Sequence, residues 1–78
     1  MNNIDNIFIE RLRDLMKENN LNIAQLSDKI NIPRTSINNW LNQGSNPRIE
    51  YLCMLSKYFK CSADYLLGLE DEFGNKVP

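Results

Sequence analysis

Five side chains stand out by type and spacing. Arg34, Thr35, Asn38, Asn39 and Asn42 fall at i, i+1, i+4, i+5 and i+8 of one short segment, a spacing that aligns them along one side of a helix. All five can form hydrogen bonds. An Arg fork bonds guanine O6 and N7 together, an Asn amide pairs with adenine N6 and N7, and the Thr methyl meets the thymine methyl. Such a face could read base edges in a DNA groove or hold phosphates. A merely solvated helix face has the same pattern, so the residues alone leave both readings open.

Other chemistries find little support. The chain contains no His, which removes the commonest general base and nucleophile activator. Its Ser, Thr and carboxylate residues sit in no G-x-S-x-G motif and no Gly-rich phosphate loop. Cys53 and Cys61 lack the additional Cys or His that a metal site needs. Both lie in apolar stretches and are expected to be buried free thiols, with a disulfide the lesser expectation for a cytoplasmic chain. No catalytic residue, metal ligand, cofactor or small-molecule ligand is expected. No apolar run approaches the ~20 residues of a membrane span, and residues 1–5 lack the basic and apolar regions of a signal peptide. The expected location is the cytoplasm.

The formal net charge is −1 over 78 residues, which by itself argues against a nucleic-acid partner. Its distribution argues the other way. Between residues 29 and 60, Lys29, Arg34, Arg48, Lys57 and Lys60 face only Glu50, giving +4. The flanking segments are acidic, −2 before and −3 after. Segregation of this kind can present a basic face to phosphate.

The elements that must position these residues follow from apolar spacing and terminators. Ile4, Ile7, Phe8, Leu12, Leu15 and Met16 recur at helical intervals and predict an amphipathic helix ending near Asn19 and Asn20. Asn22 is a good N-cap for a second helix, Ile23 to Ile30, with Ile23, Leu26 and Ile30 inward. Asn31 suits the left-handed turn that ends it. Pro33 forbids continuation and pre-sets the first turn of a third helix reaching Asn42, with Ile37, Trp40 and Leu41 inward. Trp40 is expected in the core rather than stacked on a base. A fourth helix is predicted from Ile49 to Phe59, burying Ile49, Leu52, Cys53, Leu55 and Phe59. Ser62 caps a short fifth helix, Ala63 to Leu67, that Gly68 closes. Five short helices and no period-two alternation predict a compact all-α domain over residues 1–69, followed by a polar tail over 70–78 in which Phe73 could dock.

Helices two and three form the centre of this arrangement. Two helices crossing steeply need a small residue at the approach, a turn residue that tolerates positive φ, and apolar facing sides. Ser27, Asn31 and Ile37 meet these needs in turn. The segments LSDKINIPRTSINNW (26–40) and CSADYLLG (61–68), with Leu52, Leu55 and Phe59 between them, resemble the phage repressor and Cro-like family. This is the lambda-repressor-like, XRE-type helix-turn-helix family, and the resemblance spans about residues 12–68. It implies a five-helix DNA-binding domain whose third helix enters the major groove of double-stranded DNA. By position, Arg34, Thr35, Asn38 and Asn39 would be base readers, and Asn22, Asn42 and Arg48 backbone contacts. The first amides of helix two would help to hold phosphate, and Ser45 would be a lesser backbone contact.

The departures from that family are specific. Ile23 stands where a DNA-bracing Gln is frequent, and Pro33 where Ser or Thr usually caps helix three. Lys60 occupies a helix terminus where Gly is usual, so a strained positive φ is expected there. Met16 and Leu41 replace an Arg–Glu pair found in some relatives and are expected to touch.

One recognition helix reads few base pairs, so a homodimer is expected, with half-sites about one DNA turn apart. Met54, Tyr58, Tyr65 and Leu69 could supply an apolar dimer patch. Ordinary partial exposure of the same residues, with Tyr51, Tyr58 and Tyr65 covering the core edge, is the competing reading. The functional expectation is a sequence-specific transcriptional regulator, a repressor acting by operator occupancy. Its rival is a protein-interaction module of the same fold, antitoxin-like or an anti-regulator, with weak or no DNA binding.

Overall fold

A computed structural model of the chain describes residues 3–69 and 75, with side chains from Ile7 onward. The described residues form five helices, α1 (Asn3–Glu18), α2 (Ile23–Ile30), α3 (Arg34–Gln43), α4 (Ile49–Phe59) and α5 (Ala63–Leu67). No strand occurs among the described residues. The all-α expectation is met, and α3 runs one residue beyond the predicted Asn42. The expected polar tail, Phe73 included, lies outside the described residues apart from Asn75. No helix is long and apolar enough to cross a membrane among those residues.

Local chemistry sets the boundaries. α1 ends where Asn20 takes a left-handed φ of 54° and the Leu21 amide donates back to the Met16 carbonyl at 2.8 Å. Asn22 Oδ1 accepts from the Gln25 amide at 2.8 Å, while Gln25 Oε1 accepts from the Asn22 amide at 2.9 Å. This reciprocal box satisfies two donors that a helix start otherwise leaves unpaired. Asn31 ends α2 at φ 56°, and Gly44 ends α3 at φ 71°. Lys60 ends α4 at φ 56°, so the left-handed conformation expected at this non-glycine position is present. Ser62 Oγ accepts from the Tyr65 amide at 3.0 Å and starts α5, which Gly68 closes at φ 82°.

The core is wholly apolar among the described residues, drawn from every helix, with Leu12, Leu26, Ile37, Leu55 and Leu66 fully enclosed. α1 packs on α5 and α3, α2 on α3 and α4, and α4 on α5. The third helix is therefore held from both sides. Trp40 is 3% exposed and meets Phe8 edge-on at 6.0 Å and Tyr51 at 5.9 Å, which confirms it as core. Met16 and Leu41 are both buried in this one core and line one cleft.

Several expectations for the interior need correction. Ile49 is 81% exposed, and Cys53 is exposed rather than buried. α4 carries more apolar residues than its buried stripe can hold. Leu52 and Leu55 fill that stripe, Phe59 is only half-buried against the core rather than enclosed, and Cys53, one position past Leu52, is turned about 100° away from it. Ile49 opens the helix, directly after the loop. Cys61 is only partly buried, and its desolvation pushes the thiol pKa up. Ile23 is half-buried against the core rather than enclosed.

Candidate nucleic-acid interface

The candidate interface is the outer side of α3. With Ile37, Trp40 and Leu41 buried, the remaining positions turn outward, and Arg34, Thr35, Asn38, Asn39 and Asn42 are all exposed. The helix brings these five predicted residues onto one continuous surface. Asn42 Nδ2 donates to Asn38 Oδ1 at 2.7 Å, one turn apart. Asn22, Ser45 and Arg48 are also exposed. Asn22 has its side-chain oxygen committed to the α2 cap, leaving the Nδ2 donors for other partners. The amides of Gly44 and Ser45 both donate to the Asn39 carbonyl, the latter at 3.1 Å. Arg48 is the extended residue that precedes α4.

The turn between α2 and α3 sets the angle of this surface. Ser27 Oγ donates to the Ile32 carbonyl at 2.6 Å, and Ile32 itself is 1% exposed. Ser27 thus does more than keep the helices close: its hydroxyl supplies the turn with a hydrogen bond. The start of α3 has no side-chain cap at Pro33 and no acidic residue in its first turn. Arg34 sits there, at the positive end of the helix dipole, where a cation is unfavourable. Asp28 on α2 partly offsets this, with its carboxylate 4.0 Å from the Arg34 guanidinium. Both side chains are largely exposed, so the pair contributes little to stability and leaves Arg34 available to another anion.

Arg13 and Asp28 are contacts that the sequence reading missed. Arg13 Nη2 donates to the Leu41 carbonyl at 2.9 Å and lies 3.4 Å from Asn42 Oδ1. It holds the last turn of α3 from α1, one turn before Met16, the position that carries a cross-helix Arg in some relatives. A long side chain bridging two helices leaves no periodic mark. Gln25 was legible in principle, since Asn followed three residues later by Gln is a capping-box pattern.

The candidate dimer residues do not share one environment. Met54 and Tyr65 pack against the core edge, with the Arg11 guanidinium 4.3 Å above the Tyr65 ring and bonded to the Tyr65 carbonyl. Tyr58 and Leu69 are 37% and 53% exposed. Among the described residues, no His, Cys, Asp or Glu cluster could hold a metal ion.

Comparison with known proteins converges on this motif. The family model described as helix-turn-helix matches residues 12–66. An uncharacterized HTH-type transcriptional regulator, YobD of Bacillus subtilis, is 34% identical over 71 residues, covering 91% of this chain and 63% of that protein. The HTH-type transcriptional activator BcrR of Enterococcus faecalis is 34% identical over 64 residues, covering 82% of this chain and 31% of that protein. The chain thus spans less than two thirds of the length of either relative. No solved structure gives a significant match.

Proposed function

The chain belongs to the helix-turn-helix family, and from that premise we propose that it is a sequence-specific DNA-binding transcriptional regulator. In this reading α3 enters the major groove, where Arg34, Thr35, Asn38 and Asn39 read base edges. Asn22, Asn42, Ser45 and Arg48 contact the phosphate backbone and fix the register. The observation that carries the reading is the exposed polar face of α3, anchored on its other side by Ile37, Trp40 and Leu41. Neutral amides on that face allow base recognition without a high net positive charge, consistent with a chain of charge −1.

A second copy would double the length of DNA read, and Tyr58 and Leu69 are the exposed members of the candidate dimer surface. Occupancy of a promoter by such a dimer blocks transcription, so the direction proposed is repression. The name of the Enterococcus relative marks the opposite direction for that protein, and a promoter-reporter assay with and without the chain separates the two. The functional unit proposed spans residues 1–69, with 70–78 as an appended tail.

The alternative, a protein-interaction module without DNA binding, draws support from the acidic total charge alone. Amide chemical-shift mapping during titration with duplex DNA distinguishes them. Shifts concentrated at residues 22–23, 34–42 and 45–48 are expected. Shifts confined to other surfaces, or none at millimolar duplex, would refute groove recognition by α3.

A further inference from the structure

The hydrogen bonds that tie α3 to α1 also have a direction. A guanidinium carries five donors and no acceptor, so the Asn42 atom 3.4 Å from Arg13 Nη2 has to be the carbonyl oxygen. That choice turns Asn42 Nδ2 toward Asn38, where the atom it meets has to be Oδ1. Arg13 is itself steadied by its 2.9 Å bond to the Leu41 carbonyl. Orientation passes from Arg13 through Asn42 to Asn38, whose amide oxygen is engaged within the helix and whose exposed Nδ2 has no partner among the described residues.

We propose that Arg13 is a positioning residue that sets the hydrogen-bond polarity of Asn38, making it a donor toward DNA. The inference rests on the DNA-binding reading above and adds the class of base edge recognised. An amide that pairs bidentately with adenine needs its oxygen free to accept from N6 while its nitrogen donates to N7. Here the oxygen already serves Asn42. The outward donors match guanine N7 and O6 or thymine O4; adenine offers N7 only beside an opposing amino group, and cytosine offers only its amino group.

A purely structural role for Arg13 would change affinity for all sequences alike. A polarity role changes base preference at one position. That position is found on a selected site as the base pair at which Asn38→Ala loses discrimination. Asn42→Asp then provides the test, because a carboxylate only accepts. It receives Arg13 at one oxygen and Asn38 Nδ2 at the other, which reverses the Asn38 amide and turns Oδ1 to the groove. Binding of the wild type and the variants is measured on four duplexes that differ only at that base pair.

The wild type should prefer guanine or thymine at the position facing Asn38 over adenine or cytosine. Asn42→Asp should move the preference toward adenine or cytosine by about tenfold, an effect of the size expected for one base contact. Arg13→Met should flatten preference at that position alone, and Arg13→Lys, which keeps a donor, should retain it. Far-UV circular dichroism checks that each variant stays helical. Equal changes across all four duplexes, with sequence discrimination intact elsewhere, would overturn the inference and leave the DNA-binding reading standing. A wild-type chain that discriminates no sequence would overturn both.

Discussion

The Ser27 hydroxyl donates to the Ile32 carbonyl at 2.6 Å, closing the turn between α2 and α3 with a side chain from the first helix. The two residues lie on either side of the left-handed Asn31, so one bond spans the bend that aims α3. Ser27→Ala keeps the close approach of the helices but leaves a carbonyl in a largely water-free site without this partner. The expected loss is about 1–3 kcal/mol in chemical denaturation, the cost of a partly buried acceptor left unpaired. No measurable loss would mean that water replaces the hydroxyl.

Gly44 and Gly68 end helices in the same left-handed region, at φ 71° and 82°, but in different surroundings. A Cβ at Gly44 meets nothing within 4 Å, whereas one at Gly68 falls 2.8 Å from Ile7 Cγ2 on α1. Gly44→Ala should therefore cost only the conformational strain, about 1 kcal/mol. Gly68→Ala adds a steric clash between α5 and α1 and should cost about 2–4 kcal/mol. Thermal melts of the two variants would check the order, and equal shifts would show that Ile7 yields without cost.

Arg34 should separate stability from binding. Its pair with Asp28 joins two exposed side chains at 4.0 Å, and its place at the start of α3 opposes the helix dipole. These small terms have opposite signs, so Arg34→Ala should change folding stability by less than about 0.5 kcal/mol. On a cognate duplex the same change should cost about 1–3 kcal/mol of binding and relax specificity at one base pair. Loss of both in parallel would assign Arg34 to the fold instead.

The two thiols should react at different rates. Cys53 is exposed and Cys61 half-buried, and burial pushes the Cys61 thiol pKa up. Less thiolate is then present at Cys61 at any pH below that raised value, and thiolate is the species that is alkylated. Iodoacetamide at mildly alkaline pH, followed by peptide mass mapping, should label Cys53 first. Faster labelling of Cys61 would contradict the packing of α4 on α5.

Much of this molecule is legible in its sequence because the signals are local. Asn22 and Ser62 start helices, and Asn31, Gly44, Lys60 and Gly68 end them, through backbone chemistry that operates within a few residues. The outward face of α3 follows from the inward spacing of Ile37, Trp40 and Leu41. What escaped depends on neighbours distant in sequence. Ile49 and Cys53 look like core by composition, but which apolar residues of α4 are covered depends on where α2 and α5 lie. Arg13 looks like a solvated surface cation, and only the approach of α1 to the end of α3 gives it a role. The pairing of Arg34 with Asp28 likewise requires the angle of the turn.

Sequence reading by the outer face of α3 is the core of the proposed function. Selection of binding sites from random duplex DNA, followed by affinity measurements on the selected site at increasing salt, decides it. The expected result is an enriched two-fold-symmetric site with half-sites about one helical turn apart, bound more tightly than random duplex at every salt concentration. No enrichment, with only weak binding that salt abolishes, would contradict it.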